Sequence, residues 1–185
     1  MRIISGSRRG RKIDPPQGLT ARPTTDFAKE GLFNVLANRV EMESLDVLDL
    51  FGGTGSIGYE FASRGCRTVT TVEKNRLHAA FIRKMTDDLG FENMEVVQGD
   101  VFKYVKSCRR KYDLIFADPP YQMEELDSLP DMIMVGHLLK EGGLFVLEHG
   151  PKKDFSEHRY FVEHRHYGNV NFSFFEPAGD GKEMP

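Results

Sequence analysis

Between Leu45 and Glu148, short apolar runs alternate with stretches in which apolar residues recur every three or four positions. This alternation predicts an α/β domain on a mostly parallel sheet. Leu45–Phe51 reads as the first strand, Thr68–Glu73 as the second, Met94–Val97 as the third, Asp113–Ala117 as the fourth and Leu144–Glu148 as the fifth. The longest predicted helix, Asn75–Leu89, carries Leu77, Phe81 and Met85 at four-residue spacing on one face.

The two ends depart from that rhythm. Tyr160–Tyr167 and Val170–Glu176 are β-prone, aromatic runs joined by Gly168-Asn169, a two-residue turn signal, and predict an antiparallel hairpin closing one edge of the sheet. Phe172 and Phe174 share one face of its last strand and read as core. At the other end, Arg2–Ile4 and Arg11–Ile13 flank a Gly/Ser/Arg segment and are expected to pair as a small basic hairpin. Thr25 or Asp26 then caps a helix whose Ala28, Leu32, Val35 and Leu36 line one face. The polar tail 177–185 is expected to fray.

Composition narrows the class. A chain of 185 residues, 39% hydrophobic and 29% charged, suits one globular domain spanning 1–185. No apolar run approaches a membrane span, and Met1–Gly6 turns basic before a signal-like stretch forms, so a cytoplasmic protein is expected. Cys66 and Cys108 give neither a disulfide framework nor metal-ligand spacing. The net charge of −3 hides a polarity: Arg2, Arg8, Arg9, Arg11 and Lys12 place +5 in the first twelve residues, leaving −8 for the rest. Lys103, Lys106, Arg109, Arg110 and Lys111 form a second acid-free cluster. Local basic patches are what phosphate-backbone binding requires, and equally what a solvated surface carries.

At the end of the first strand, Gly53, Gly55 and Gly58 satisfy G-x-G-x-x-G, and Glu73 lies twenty residues after Gly53. Such a loop lets a ligand approach the backbone, and the acid can accept both hydroxyls of a ribose, so a nucleoside-containing cofactor follows. Asp49 discriminates further: a carboxylate is unfavourable beside a pyrophosphate and favourable beside the cationic methionine portion of S-adenosylmethionine. Asp100, closing the third strand, can accept from an adenine amino group, or cap the helix that follows. Phe51, Thr54, Lys74 and Val101 are expected to share this cofactor site.

After the fourth strand comes Asp118-Pro119-Pro120-Tyr121. An exocyclic amino nitrogen on a nucleobase is a poor nucleophile because its lone pair is delocalised. Holding one hydrogen on the Asp118 carboxylate and the other on the Pro119 carbonyl turns that pair toward an incoming methyl group. The prolines remove competing backbone donors, and Tyr121 offers a stacking face. Asp118 also offsets the charge growing on nitrogen. Read alone, the tetrapeptide could be a turn leaving a buried strand. Its position after the glycine loop, Glu73 and Asp100 favours chemistry.

These residues resemble the RsmD-type 16S rRNA guanine-N2 methyltransferases, over nearly the whole chain. Arg2-Ile3-Ile4-Ser5-Gly6 with Arg9-Gly10-Arg11-Lys12, then Arg22-Pro23-Thr24-Thr25-Asp26 leading to Glu30 and Leu32-Phe33-Asn34, carry the more specific part of the likeness. The resemblance implies a Rossmann-like class I methyltransferase sheet of seven strands, S-adenosylmethionine as donor, and a guanine of small-subunit ribosomal RNA in an assembled or partly assembled subunit. It assigns cofactor binding to Asp49, Gly53, Gly55, Glu73 and Asp100, and catalysis to Asp118, Pro119, Pro120 and Tyr121. Residues 1–25 become an RNA-contact extension through Arg8, Arg9, Arg11 and Lys12, with Arg22, Pro23 and Thr24 near the active-site mouth. Phe27 stands where the family usually has Arg, and an aromatic common in its opening segment is absent.

Rival readings are an adenine-N6 methyltransferase, which the same tetrapeptide suits, a protein-glutamine methyltransferase, a ribosome-assembly factor with a secondary methyl-transfer site, and a dehydrogenase. His164 and His166 share a strand face and could suggest metal, but solvated strand residues fit better, and no metal is expected. His149, after the fifth strand, has no role assigned by its position alone.

Overall fold

A computed structural model describes residues 1–19 and 24–177. Seven strands form one sheet: β1 (Asp46–Leu50), β2 (Thr68–Glu73), β3 (Met94–Gln98), β4 (Tyr112–Ala117), β5 (Leu139–His149), β6 (Phe161–Tyr167) and β7 (Val170–Phe175). Their order is β3-β2-β1-β4-β5-β7-β6, parallel from β3 through β5, with β7 antiparallel to β5 and β6. The class I methyltransferase arrangement and its C-terminal hairpin are therefore as the sequence suggested, with Gly168 at positive φ in the hairpin turn.

Among the described residues, the five α-helices are α1 (Asp26–Ala37), α2 (Ser56–Ser63), α3 (Arg76–Leu89), α4 (Val101–Ser107) and α5 (Leu129–Val135). Alternate residues of each strand feed two cores. Val47, Val69, Leu114, Phe116, Val146, Phe172 and Phe174 pack with α1, α2 and α3, whereas Leu48, Leu50, Val72, Ile115, Phe145 and Leu147 pack with α4 and α5. A sheet covered on both faces needs such near-continuous apolar strands.

The caps explain the helix starts. Thr25 Oγ1 accepts the Ala28 N–H at 3.1 Å, and Asn75 Oδ1 accepts the Leu77 and His78 N–H groups at 2.8 and 3.2 Å. The core-facing stripe of α3 differs from the expected one. Ala79, Ile82, Thr86 and Leu89 are buried, Phe81 and Met85 flank them, and Leu77 is exposed. A strict four-residue spacing drifts around a helix of 3.6 residues per turn, so Leu77 rotates away from the sheet.

The basic opening folds back on itself in the short antiparallel pairing the sequence suggested: Arg2 bridges Lys12, and the Ile3 and Ile13 N–H groups donate to Arg11 O and Met1 O at 3.0 and 2.9 Å, though neither segment lengthens into a strand. Ile3 and Ile13 are buried in the core beneath α1, α2 and α3, and the stretch from Ile4 to Arg8 is tied to α2. Glu60, fully buried, accepts the Ile4 and Ser5 N–H groups at 2.8 and 3.0 Å, and Ser63 O accepts the Ser7 N–H at 2.7 Å. Among the described residues, no helix is long and apolar enough to cross a membrane.

Candidate active site

β1 pairs with β2 on one side and β4 on the other, so the connections leaving β1 and β4 diverge and open a crevice at the carboxyl ends of the strands. A cleft of about 1020 Å³ occupies that place. Loops after β1, β2, β3 and β4 line it, joined by Thr24, Thr25, Glu148 and Val170.

The loop after β1 reaches α2 through three left-handed residues, Phe51 (φ 62), Gly53 (φ 57) and Gly55 (φ 87). Gly55 is the N-cap of α2, and a side chain there would also strike the Tyr59 ring, so backbone and packing both demand glycine. Phe51 holds its strained conformation edge-on to Phe102, with ring centroids 6.2 Å apart. Glu73 Oε2 accepts the Gly53 N–H and Oε1 accepts the Asn75 N–H, both at 2.7 Å. The acid closing β2 thus fastens the glycine loop to the start of α3.

Asp49 lies beneath this loop, 2% exposed, with Thr71 Oγ1 donating to its Oδ2 at 3.3 Å. Burial pushes its carboxyl up to about 7, against the opposing pull of the Thr71 hydroxyl, and the charge of Glu73 adds to the rise. Asp100 caps α4 by accepting the Lys103 N–H at 3.2 Å, and from that position it also lines the cleft. That N–H, then the Lys74 ammonium 3.1 Å away, hold its carboxyl below the usual range.

Across the cleft, the Asp118 N–H donates to Leu50 O at 3.4 Å, anchoring the tetrapeptide to the end of β1. Pro119 is buried, Asp118 and Tyr121 are half-buried, and the Met123 N–H donates to Pro120 O at 2.9 Å to complete a turn. Tyr121 donates its hydroxyl to Glu148 Oε1 at 2.9 Å, and Thr24 Oγ1 donates to Glu148 Oε2 at 2.7 Å.

The structure thus gathers Asp49, Phe51, Gly53, Thr54, Glu73, Lys74, Asp100, Val101, Asp118, Pro119, Pro120, Tyr121 and Thr24 around one cleft. Gly55 stands behind it as a helix cap. Arg8, Arg9, Arg11 and Lys12 do not line it; the opening segment runs along α2, with Arg8 at Ser63, the end of α2 remote from the glycine loop. Arg22 and Pro23 lie outside the described residues. The second basic cluster leads into the start of β4, at the opposite end of the sheet, where Arg110 pairs with Glu95 at 2.9 Å.

Glu148, Phe102, Asn75 and His78 also line the cleft and carry no signal in the sequence that would single them out. His149 is buried, its Nδ1 2.9 Å from Gly150 O and its Nε2 2.8 Å from Ser173 Oγ. Burial lowers its pKa, so it sits as a satisfied neutral imidazole. Among the described residues, no group of three or more His, Cys, Asp or Glu is placed to hold a metal ion.

The family model described as "Conserved hypothetical protein 95" matches residues 1–176. The chain is 30% identical over 148 residues to the ribosomal RNA small subunit methyltransferase D of Escherichia coli K12, covering 80% of this chain and 74% of that protein. Among solved structures it is similar to the hypothetical protein TTHA0928 of Thermus thermophilus, with TM-score 0.84 and 28% identity over 95% of this chain and 99% of that one. A likeness of fold alone, TM-score 0.68 at 20% identity over 86% of this chain and 45% of that one, links it to a Thermus thermophilus 16S rRNA N2 G1207 methyltransferase solved with AdoMet and guanosine. By the extent of these matches the chain belongs to the Conserved hypothetical protein 95 family, the RsmD family of small-subunit ribosomal RNA methyltransferases.

Proposed function

We propose that this protein transfers a methyl group from S-adenosylmethionine to the exocyclic N2 of a guanine in small-subunit ribosomal RNA, presented in an assembled or partly assembled subunit. The observation that carries the reading is the placement of Asp118-Pro119-Pro120-Tyr121 across one cleft from an acid-rich glycine loop, in a chain related to ribosomal RNA methyltransferases.

The donor set fits a cationic nucleoside. Three carboxylates, Asp49, Glu73 and Asp100, line the cleft together with the aromatic pair Phe51 and Phe102, a lining hostile to a pyrophosphate. Asp49 and the loop from Phe51 through Gly53, Thr54 and Gly55 would hold the amino-acid portion. Glu73, which retains acceptor capacity beyond its two backbone bonds, would take the ribose. Asp100 with Val101 would meet the adenine, and Lys74 steadies Asp100. When bound, the donor supplies a methyl group already activated on a sulfonium centre.

The chain's own residues then need only align and polarise the acceptor. The Asp118 carboxylate and the Pro119 carbonyl would each accept one amino hydrogen, Tyr121 would stack the base, and Asp118 would balance the positive charge that develops on nitrogen. The new nitrogen–methyl bond would replace the sulfonium–methyl bond, the neutral thioether leaving, and the proton that nitrogen then sheds would pass by way of Asp118 to solvent. Arg9, Arg11 and Lys12, all exposed, would contact RNA phosphates, Arg8 would brace the segment that carries them, and Arg22 and Thr24 are assigned to the substrate by the family resemblance alone. Mapping ribosomal RNA by mass spectrometry, in cells with and without the protein, tests the reading. One N2-methylguanine of the small subunit is expected to vanish on deletion and to return with the wild type but not with Asp118→Ala. An unchanged small-subunit guanine map, or loss of an N6-methyladenine instead, overturns it.

A further inference from the structure

The carboxyl end of β5 closes on Tyr121 from two directions. Glu148, 3% exposed, accepts the Tyr121 hydroxyl on one oxygen and the Thr24 hydroxyl on the other, at 2.9 and 2.7 Å. Two residues on, Gly150 lies against the ring itself. A methyl group added there would stand 2.9 Å from Tyr121 Cδ2 and 3.4 Å from Cγ. Its backbone φ lies outside the left-handed region, so the ring and not the backbone excludes a side chain. The β4–β5 register ends at Ala117 opposite Leu147, the residues immediately before Asp118 and Glu148.

Burying a carboxylate is costly unless hydrogen bonds compensate. Nothing in the sheet requires one at this position, because β5 is already paired with β4 and β7, and Glu148 itself faces Phe172 in the β7 register. Two hydroxyls that it accepts come instead from segments 27 and 124 residues away, brought together at the cleft.

We propose that Glu148 is a positioning residue for methyl transfer: with Gly150 it clamps the Tyr121 ring at a fixed angle and ties it to Thr24, so that a ring face is presented to the target base. This rests on the proposed reading of Asp118 to Tyr121 as the acceptor-base site. Gly150 backs the ring, Glu148 fixes its rotation through the hydroxyl, and the base stacks on a platform that does not have to be ordered at each turnover.

The test measures single-turnover methylation of small subunits at saturating RNA, S-adenosylmethionine affinity by calorimetry, and thermal melting. Glu148→Ala is expected to slow transfer by roughly 10–100-fold with donor affinity unchanged. Glu148→Gln, which keeps an acceptor for the Tyr121 hydroxyl, is expected to recover most of the rate. On a Tyr121→Phe background, where the hydroxyl that Glu148 orients is gone, Glu148→Ala should cost clearly less than it does in the wild type, the Thr24 bond being lost in both backgrounds. Gly150→Ala, which leaves the carboxylate in place, should slow transfer as well and covers the case in which Glu148→Ala fails to fold. Losses that multiply, a Gln variant as slow as the Ala variant, or a Gly150→Ala protein with wild-type rate each overturn the clamp. A wild type that methylates no small-subunit guanine overturns the underlying reading, and the clamp with it.

Discussion

Thr71 donates its hydroxyl to Asp49 across 3.3 Å from the neighbouring strand, yet this bond and the weaker help of the Gly58 N–H do not offset burial, which pushes the Asp49 carboxyl up to about 7. A cationic donor entering the cleft favours the ionised form. S-adenosylmethionine binding is therefore expected to release a proton near neutral pH, and to weaken by about tenfold per pH unit below 7. Calorimetry in buffers of different ionisation heat reads the proton directly.

The same group bears on stability with a definite sign. Its folded-state pKa is raised, so between about 4 and 7 the folded chain holds a proton that the unfolded chain has lost. This contribution makes stability fall as pH rises through that window and stay low above 7. Asp49→Asn is accordingly expected to stabilise the donor-free protein at pH 8, by up to roughly 4 kcal/mol, while weakening donor binding by about tenfold or more. The two variants should converge in stability below pH 4, apart from the effect of the amide itself. Denaturant titrations at pH 4 and pH 8 check the sign, and a variant less stable at pH 8 would mean that the carboxyl is not strained there.

Glu60 shows how the opening segment is held. It is fully buried, accepts the Ile4 and Ser5 N–H groups and Arg64 Nε, and lies 3.9 Å from the Lys29 ammonium, itself buried and donating to Arg2 O at 2.5 Å. Burial lowers the Lys29 pKa, and the charge of Glu60 is the largest effect resisting that. Glu60→Ala removes this counter-charge and orphans two backbone donors, so a loss of about 3–5 kcal/mol is expected. Hydrogen exchange should show Ile4 and Ser5 opening well before the sheet.

Much of this fold is legible in the sequence because its signals are local. β2 begins and ends where the β-branched run closed by Glu73 does, and α3 starts at an asparagine cap. The apolar run of β5 understates the strand: it starts at Leu139, and Glu141-Gly142-Gly143, a breaker by composition, continues the strand through an irregular register with Gly142 at positive φ. Glu148 reads as the polar end of an apolar strand, because the partners that give its carboxylate a purpose, Thr24 and Tyr121, come from distant sequence. The glycine loop and the tetrapeptide are visible since their chemistry depends on consecutive residues. The fastening of Gly53 by Glu73 is not, because the acid's backbone bonds arise only once β1 and β2 pair.

Asp118→Asn keeps the shape of the side chain and one acceptor oxygen but removes its charge. If the carboxylate balances charge developing on the acceptor nitrogen, single-turnover transfer should fall by about 100–1000-fold, with donor affinity and melting temperature close to wild type. Retained turnover would assign acceptor binding to another oxygen in the cleft.

The basic opening separates into two kinds of arginine. Arg8 Nε donates to Leu89 O at 2.6 Å and the guanidinium lies 5.9 Å from the Phe91 ring centroid, so this side chain pins the tip of the segment to the end of α3. Arg9, Arg11 and Lys12 are exposed. Arg8→Ala should therefore cost stability, about 1–2 kcal/mol for a lost charged hydrogen bond and ring contact, even in the absence of RNA. Replacing Arg9, Arg11 and Lys12 together with alanine should leave melting nearly unchanged but flatten the salt dependence of RNA binding. If all three meet phosphates of single-stranded RNA, the slope of log affinity against log salt changes by about 2. Binding measured over a salt range of roughly 50 to 200 mM distinguishes the two sets. A slope that survives the triple substitution would remove this segment from the RNA interface and leave it as a brace for α2.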